Sequence, residues 1–263
     1  MLFYLPPMLL SATRMEPSLV QDLDSQVAPL GRTRKPHKPK KTLRAQIALN
    51  DQVSFQFQYN RQGSLNDNQS AQVTYDHVVH PDLQISIQSP SYQWGTLGSS
   101  RGQGWNDVSL SATYQFAKGG GPGEWNKPGQ SVIVGSSLPS GSKSLTSGAI
   151  QPSLTYAASW AASKDASIDL NLGAAYQANG GSSFTQLTGS LSYEVTLNSK
   201  WSGFVELNSQ LNTPHKAPNQ NSGQVGVTYQ PSPRASYSLS LQQNFYKPFP
   251  GYQITAGFTL YLP

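Results

Sequence analysis

The sequence predicts an all-β protein, an antiparallel up-and-down transmembrane β-barrel of about twelve strands with a basic N-terminal arm. Apolar and polar residues alternate repeatedly from Asp51 onward, which is typical of strands with one apolar face. The composition is both weakly hydrophobic, at 37%, and weakly charged, at 12%. A barrel with a neutral polar interior and an apolar outer face accounts for both figures.

The alternation is clear in individual segments, such as Val53, Phe55 and Phe57 set against Ser54 and Gln56. Reading the whole chain in this way places strands near 52–61, 70–79, 82–94, 104–117, 130–138, 149–161, 166–178, 183–197, 199–211, 222–230, 234–247 and 250–262. Most approach the roughly 9–11 residues that a tilted strand needs to cross a bilayer. An even number of strands brings both ends of the barrel to the same side of the membrane.

The links between the predicted strands differ in length. Short links at 80–81, 198–199 and 231–233 fit periplasmic turns, and longer polar links near 62–69, 95–103, 139–148 and 212–221 fit extracellular loops. The glycine-rich link 118–129 departs from this rule, because it is long where a short turn is expected.

The net charge of +5 belongs to the N-terminal end of the chain. Residues 1–50 hold eight basic and three acidic side chains, which leaves ten of each sign in the remainder. We therefore divide the chain into an atypical export signal and basic arm, 1–44, and a barrel, 45–263. The neutral body argues against nucleic-acid binding, and the arm could act as a gate at the barrel mouth or be an ordinary terminal segment.

The acidic residues within the strands occupy the alternate positions that form the polar face. They are Asp76, Asp107, Asp169, Glu194 and Glu206. Inward bases are few, Lys200 being one, so these carboxylates could make the lumen favour cations. The alternative is structural: each carboxylate is hydrogen-bonded to nearby Ser, Thr or Gln, or paired with a loop base such as Arg101 or Lys143.

Aromatic residues at the alternate positions that form the apolar face cluster at strand ends. One predicted rim holds Tyr59, Tyr176, Phe245 and Tyr252, and the other holds Trp160, Tyr193, Trp201, Tyr229 and Tyr237. Tyr and Trp prefer the lipid headgroup boundary because the ring is apolar and its tip is polar. This arrangement favours a membrane barrel over a soluble β-sandwich, in which large aromatics would more often be central.

Several segments resemble the outer-membrane barrels labelled as transporters of the meta-pathway of phenol degradation. They are GWNDVSL at 104–110, YQF at 114–116, LPSG at 138–141 and DLNLGAAY at 169–176. The similarity covers roughly residues 82–263. It implies an outer-membrane barrel and a small organic solute, with aromatic compounds favoured.

No pattern in the sequence predicts catalysis, a cofactor or a metal site. There are no cysteines, so thiolate chemistry and a Cys-based metal site are excluded. The histidines are His37, His77, His80 and His215. His77 and His80 are three residues apart on a strand, so they are expected to point to opposite faces and not to share a metal.

The function that these observations favour is a channel of the cell outer membrane that lets small organic molecules cross passively. Its expected partners are the lipid bilayer, the solutes and the barrel assembly machinery. Two alternatives remain at this point: a closed structural or adhesive surface barrel, and a soluble β-sandwich that acts as a binding module.

Overall fold

The computed structural model describes residues 50–62, 66–97, 100–143, 145–179, 182–213, 219–245 and 251–262. Within them lie fourteen strands: β1 (Gln52–Gln62), β2 (Asn66–His80), β3 (Leu83–Gln88), β4 (Tyr92–Leu97), β5 (Ser100–Trp105), β6 (Val108–Ala117), β7 (Gly129–Leu138), β8 (Gln151–Ala161), β9 (Ala166–Asn179), β10 (Ser182–Thr196), β11 (Trp201–Thr213), β12 (Gln220–Ser232), β13 (Ala235–Asn244) and β14 (Gly251–Tyr261). The basic arm and the predicted boundary at residue 44 lie outside the described residues.

The strands form one antiparallel sheet that closes on itself. From β6 to β14 each strand pairs with the next in sequence, β2 pairs with both β3 and β4, and β3 pairs with β6. The first strand β1 pairs with both β2 and the last strand β14. The pairing of β1 with β14 is continuous from Gln52↔Tyr261 to Gln62↔Gly251. Closure leaves neither β1 nor β14 as an open edge, which is a requirement for a sheet that crosses a membrane. The predicted up-and-down barrel is therefore confirmed.

The ring contains twelve strands because two predicted strands are interrupted. β3 and β4 both pair with β2 and are separated by Ser89–Ser91, while β5 and β6 are separated by Asn106 and Asp107. β4 continues the line of β3 toward the loop rim, and β5 continues the line of β6 in the same way. The pairs β3–β6 and β4–β5 therefore form two successive parts of one long hairpin. The predicted loops near 62–69 and 95–103 are wrong, since residues 66–69, 95–97 and 100–103 are strand.

The sheet carries apolar side chains on its outer face and polar side chains on its inner face, which is the reverse of a soluble protein. Large apolar side chains on the outer face are about half exposed, including Leu154, Leu172, Leu191, Val205, Val225 and Leu239. Polar side chains such as Gln84, Ser131 and Asn212 point inward and are almost fully buried. An apolar exterior around a polar interior suits a bilayer, so the soluble β-sandwich alternative is wrong.

The strand ends define two rims. The terminal rim contains Asp51, Leu262 and the links 81–82, 118–128, 162–165, 197–200 and 233–234. The loop rim, at the opposite strand ends, contains the ends of β1, β4, β9, β11 and β13 and the described link residues 139–143 and 145–150. Short turns thus predominate at the terminal rim, as the sequence predicts, with link 118–128 as the exception.

Link 118–128 is long because it folds back against the outer wall. Gly123 N donates to Ala161 O over 3.3 Å, and Trp160 Nε1 donates to Trp125 O over 3.1 Å. These contacts cover Ala158, which is only 2% exposed although it lies on the outer face. Gly123 has a φ of 83°, a left-handed conformation that glycine adopts without strain.

None of the described residues forms a helix that is long and apolar enough to cross a bilayer.

Candidate functional site: the barrel lumen

The lumen is lined mainly by small and medium polar side chains without charge. Inward positions of β1 are Gln, Ser and Asn, those of β13 are Ser, Gln and Asn, and the remaining strands supply more Ser, Thr and Gln. Many join neighbouring strands, as Gln224 Nε2 does to Ser240 Oγ over 2.8 Å and Gln242 Nε2 to Ser222 Oγ over 3.0 Å. Such a lining can hydrogen-bond to water and to polar groups of a solute.

Asp76 lies inside the barrel wall and is completely buried. Gln52 Nε2 donates to Asp76 Oδ2 over 2.7 Å, and Ser86 Oγ donates to Asp76 Oδ1. These bonds tie β1 and β3 to β2 on the inner face. They match the structural alternative for this carboxylate, in which Ser and Gln neighbours satisfy it.

Asp107 lies in the break between β5 and β6, where it is 3% exposed. Its Oδ1 accepts hydrogen bonds from Ser140 N over 3.1 Å and Gly141 N over 2.8 Å. Its Oδ2 accepts from both the N and the Oγ of Ser147, each over 3.0 Å. Asp107 therefore anchors the long link between β7 and β8 to the barrel wall.

Two of the segments that carry the family resemblance meet at this point. Ser142 N donates to Trp105 O over 2.9 Å, and Val108 N donates to Ser140 Oγ over 2.9 Å. A Cβ at Gly141 would lie only 2.6 Å from Trp105 O, so the close approach requires glycine. We call this contact between residues 105–108 and 140–147 the Asp107 junction. The junction lies along the edge of β5 that faces away from β4, and no described strand pairs with β5 on that edge.

The other three acids gather on adjacent strands of one wall. Asp169 of β9 and Glu206 of β11 both lie opposite Ser192 of β10, and Glu194 is two residues further along β10 on the same face. Asp169 accepts a hydrogen bond from Ser167 Oγ over 3.2 Å, and Glu194 is 8% exposed. The sheet thus brings together three of the five acids that the sequence places on the polar face.

An inward aromatic ring, Phe204, completes this wall and was missed by the sequence reading. Phe204 lies opposite Glu194 on β10 and opposite Gly226 on β12. Its ring occupies the space where a Cβ of Gly226 would be, so Gly226 lets the ring lie against the wall. The sequence carries one signal for it: Phe204 occupies one of the alternate positions of β11 that otherwise hold polar residues, and Gly226 lies opposite it on β12.

The predicted girdle residues lie near strand ends on the outer face. Tyr59, Tyr176, Phe245 and Tyr252 are at the loop rim, and Trp160, Tyr193, Trp201, Tyr229 and Tyr237 are at the terminal rim. Tyr59 contacts Tyr252 with ring centroids 6.0 Å apart, and Trp201 contacts Tyr229 at 4.6 Å. Their contact with lipid headgroups stays a prediction.

Apolar grooves lie in the outer wall. One, of about 580 Å³, is bounded by residues such as Leu191, Val205, Leu207 and Val225. Another, of about 520 Å³, is bounded by residues such as Phe55, Phe57, Phe258 and Trp105. Both present the apolar surface that a bilayer would cover.

His77 lies on the outer face of β2, as its parity predicts, and His80 ends that strand. Among the described residues, no group of three His, Asp or Glu side chains is placed to hold a metal ion. His37 and His215 lie outside the described residues.

Asp51 fastens the seam where the barrel closes. Its Oδ1 accepts from Val78 N over 2.8 Å, its Oδ2 lies 2.8 Å from His77 Nδ1, and its backbone O accepts from Leu262 N over 2.7 Å. The Val78 N–H, followed by His77, lowers the pKa of Asp51 below its ordinary value of 3.8. Asp51 precedes β1 and so lies at the rim.

We expect His77→Ala to move the pKa of Asp51 part of the way back toward 3.8, because the Val78 N–H remains. A lowered pKa means that Asp51 stabilises the fold above its unfolded pKa, and that this contribution is lost as the pH falls through the folded pKa. Carbonyl-detected NMR titration of Asp51 in the two proteins measures the shift. An unchanged pKa in His77→Ala would contradict the assigned role of His77.

A family model described as "Putative MetA-pathway of phenol degradation" matches residues 31–261, most of the chain. The chain belongs to this family. The family resemblance of segments 104–110 and 138–141 is thereby confirmed, and the fold places these two segments together at the Asp107 junction. No curated protein matches the sequence.

Solved structures of outer-membrane barrels share the fold of this family member. The COG4313 outer membrane channel from Pseudomonas putida F1 has a TM-score of 0.65 at 11% identity, covering 88% of this chain and 100% of that one. The NanC porin has a TM-score of 0.55 at 11% identity, covering 80% and 100%. The KdgM porin in complex with disordered oligogalacturonate has a TM-score of 0.54 at 14% identity, covering 80% and 99%.

Three observations indicate the same class of protein: the closed sheet, the apolar exterior around a polar interior, and the similarity to these solved structures. The chain is an outer-membrane β-barrel with the fold seen in porins and outer-membrane channels. The outer membrane is its predicted location, and that prediction is confirmed.

Proposed function

We propose that the barrel is a passive channel for small organic molecules, without catalysis of its own. The observation that carries this proposal is the polar and mainly uncharged lining of a closed twelve-strand ring. Twelve strands enclose a lumen wider than the filled interior of an eight-strand barrel. The family description supports an aromatic solute, and the two porin likenesses support a channel.

The orientation that we propose places the terminal rim in the periplasm and the loop rim outside the cell, as in bacterial barrels with both ends on one side. Insertion by the barrel assembly machinery remains part of the same prediction. The arm as a gate also remains a prediction, since residues 1–44 lie outside the described part of the chain.

A closed structural or adhesive barrel is the second candidate. Complete or near-complete burial of Asp76, Gln84, Ser131 and Asn212 favours it, because a wide water-filled lumen would leave inward side chains more exposed. The inward aromatic residues Phe204 and Tyr261 also favour it, although most inward residues are small and polar.

Swelling of vesicles that contain the refolded protein distinguishes the two candidates. We expect small neutral solutes to enter faster than into protein-free vesicles, at rates that fall as solute size rises. Ser240→Trp, on the inner face of β13, is expected to slow entry several-fold by narrowing the lumen. The matched control Leu239→Trp, on the outer face, is expected to leave the rate unchanged. Rates equal to those of protein-free vesicles would overturn the channel in favour of the closed barrel.

A further inference from the structure

We propose that link 118–128, between β6 and β7, is a membrane anchor that lies in the phospholipid headgroup layer at the terminal rim. Trp125 is the residue that enters this layer. We call the segment the anchor link, and in the proposed orientation of the barrel it contacts the periplasmic leaflet. The anchor link lies outside the lumen, so its role is the same in an open channel and in a closed barrel.

The anchor link is attached to the outer face of β8. Gly123 N donates to Ala161 O over 3.3 Å, at the end of that strand. Trp160 Nε1 donates to Trp125 O over 3.1 Å, from the outer side of the wall. One contact uses the backbone of β8 and the other a side chain of its outer face, so the link is fixed on the side of the barrel that faces the bilayer.

The height of the link on the wall follows from the exposure of outward residues along β8. Ala158 is covered and only 2% exposed, whereas Leu154 on the same face is 53% exposed. Ala158 is three residues from the end of the strand at Ala161, which is about 10 Å at the usual rise per residue. The cover thus reaches from the rim to about this height and leaves the middle of the wall to lipid tails.

The backbone of the anchor link forms hydrogen bonds within the link, as a segment in contact with lipid requires. Gly120 N donates to Lys127 O over 2.7 Å. Glu124 N donates to Gly121 O, and Lys127 N donates to Glu124 O, each over 3.0 Å. Irregular backbone with unsatisfied polar groups is excluded from the hydrocarbon region of a bilayer. A link that bonds to itself and to β8 is therefore suited to the boundary of that region.

Trp125 presents an aromatic ring at this boundary. It is 54% exposed, although the link that carries it is attached to the wall. Trp160, the predicted girdle residue of β8, directs its indole N–H to Trp125 O and so into the protein. Trp residues collect at the headgroup boundary because most of the ring is apolar and its N–H is polar. Trp125 therefore takes over the girdle position on this strand.

The charges of the anchor link are paired, which favours a neutral boundary over an anionic surface. Lys127 Nζ lies 3.3 Å from Glu124 Oε2, and Lys118 Nζ lies 3.5 Å from Asp82 Oδ1. The two lysines and the two carboxylates leave no net charge to attract anionic lipid. We therefore expect the anchor link to enter zwitterionic and anionic bilayers equally.

Site-directed fluorescence of the refolded full-length protein in lipid vesicles tests the proposal, because the chain has no cysteine to compete for a label. Trp125→Cys and Asn126→Cys each carry the fluorophore, and the second keeps Trp125 in place. We expect both labels to be quenched by a nitroxide on the lipid headgroup. Both should be several-fold less accessible to iodide than a label at Lys164→Cys, in an exposed turn at the same rim. Leu154→Cys marks the hydrocarbon and should respond most to a nitroxide deep in the acyl chains.

Replacing Trp125 in the Asn126→Cys protein isolates the contribution of the ring. Trp125→Ala should raise iodide quenching several-fold, toward the value of the Lys164→Cys label. Trp125→Phe should raise it less, since an apolar ring remains. Vesicles of phosphatidylcholine with and without phosphatidylglycerol should give the same result, because the charges of the link are paired.

Iodide access equal to that of the Lys164→Cys label would place the link in water and overturn the anchor. Protection from iodide without nitroxide quenching would also overturn it, since protein and not lipid would then cover the link. Protection confined to vesicles with phosphatidylglycerol would replace insertion of a neutral segment by attraction to anionic lipid. The channel is judged separately, by vesicle swelling, whose result leaves the anchor untouched.

Discussion

Replacing Leu207 with Arg is expected to lower the free energy of unfolding from the bilayer by about 2–4 kcal/mol. Leu207 lies in the middle of β11 on the outer face and is 62% exposed, so lipid tails would surround the new charge. Unfolding by guanidinium from lipid vesicles, followed by Trp fluorescence, measures the change. The effect should decrease for the same substitution near a rim, where the side chain can reach the headgroups.

Asn208→Arg is the matched control for this substitution. It introduces the same side chain one position later, on the inner face of the same strand. We expect a loss of about 1 kcal/mol or less, since the lumen offers polar neighbours and nearby acids. If the two variants lose the same stability, the outer face is not in lipid, and the membrane-spanning barrel is contradicted.

Replacing Asp107 with Ala is expected to cost about 3 kcal/mol or more. The substitution removes the carboxylate that accepts from the backbone N–H groups of Ser140, Gly141 and Ser147 and from the Ser147 hydroxyl. Hydrogen bonds to a charged group contribute about 1.5–3 kcal/mol each, although such contributions are not additive. The same vesicle unfolding experiment measures the loss, and limited proteolysis should then cut within residues 139–150.

Asp107→Asn separates the two parts of this effect. It keeps the shape and one acceptor oxygen, but it directs an NH₂ group at donors, so we expect a loss smaller than for Ala and still above 1 kcal/mol. Asp165→Asn, in an exposed turn, should change stability by no more than about 0.5 kcal/mol. An Asp107→Ala protein as stable and protease-resistant as Asp165→Asn would remove the anchoring role of Asp107.

The strand content could be predicted from the sequence because the period of two is a direct consequence of backbone geometry. Wherever an inner polar and an outer apolar residue alternate, as from Ile168 to Tyr176, the predicted strand and β9 agree closely. The alternation fails where a strand extends beyond the apolar band. Asn66, Asp67 and Asn68 belong to β2, and only their pairing with β1 and β4 holds them as strand.

The lumen could be predicted in part. Parity places Asp169, Glu194 and Glu206 on the inner face, but only the register of β9–β11 shows that they share one wall. The Asp107 junction could not be predicted, because Asp107 and its partners are more than thirty residues apart along the chain. Nothing local in LPSG at 138–141 indicates that its backbone amides face a carboxylate on another link.

Single-channel recording in a planar bilayer tests the channel most directly. With a potassium chloride gradient, we expect discrete current steps and a reversal potential that indicates preference for potassium. Glu206→Gln should weaken that preference, since it removes one of the inward carboxylates. Insertion of the folded barrel without any current, at all voltages and in both orientations, would contradict a channel and leave the closed barrel as its function.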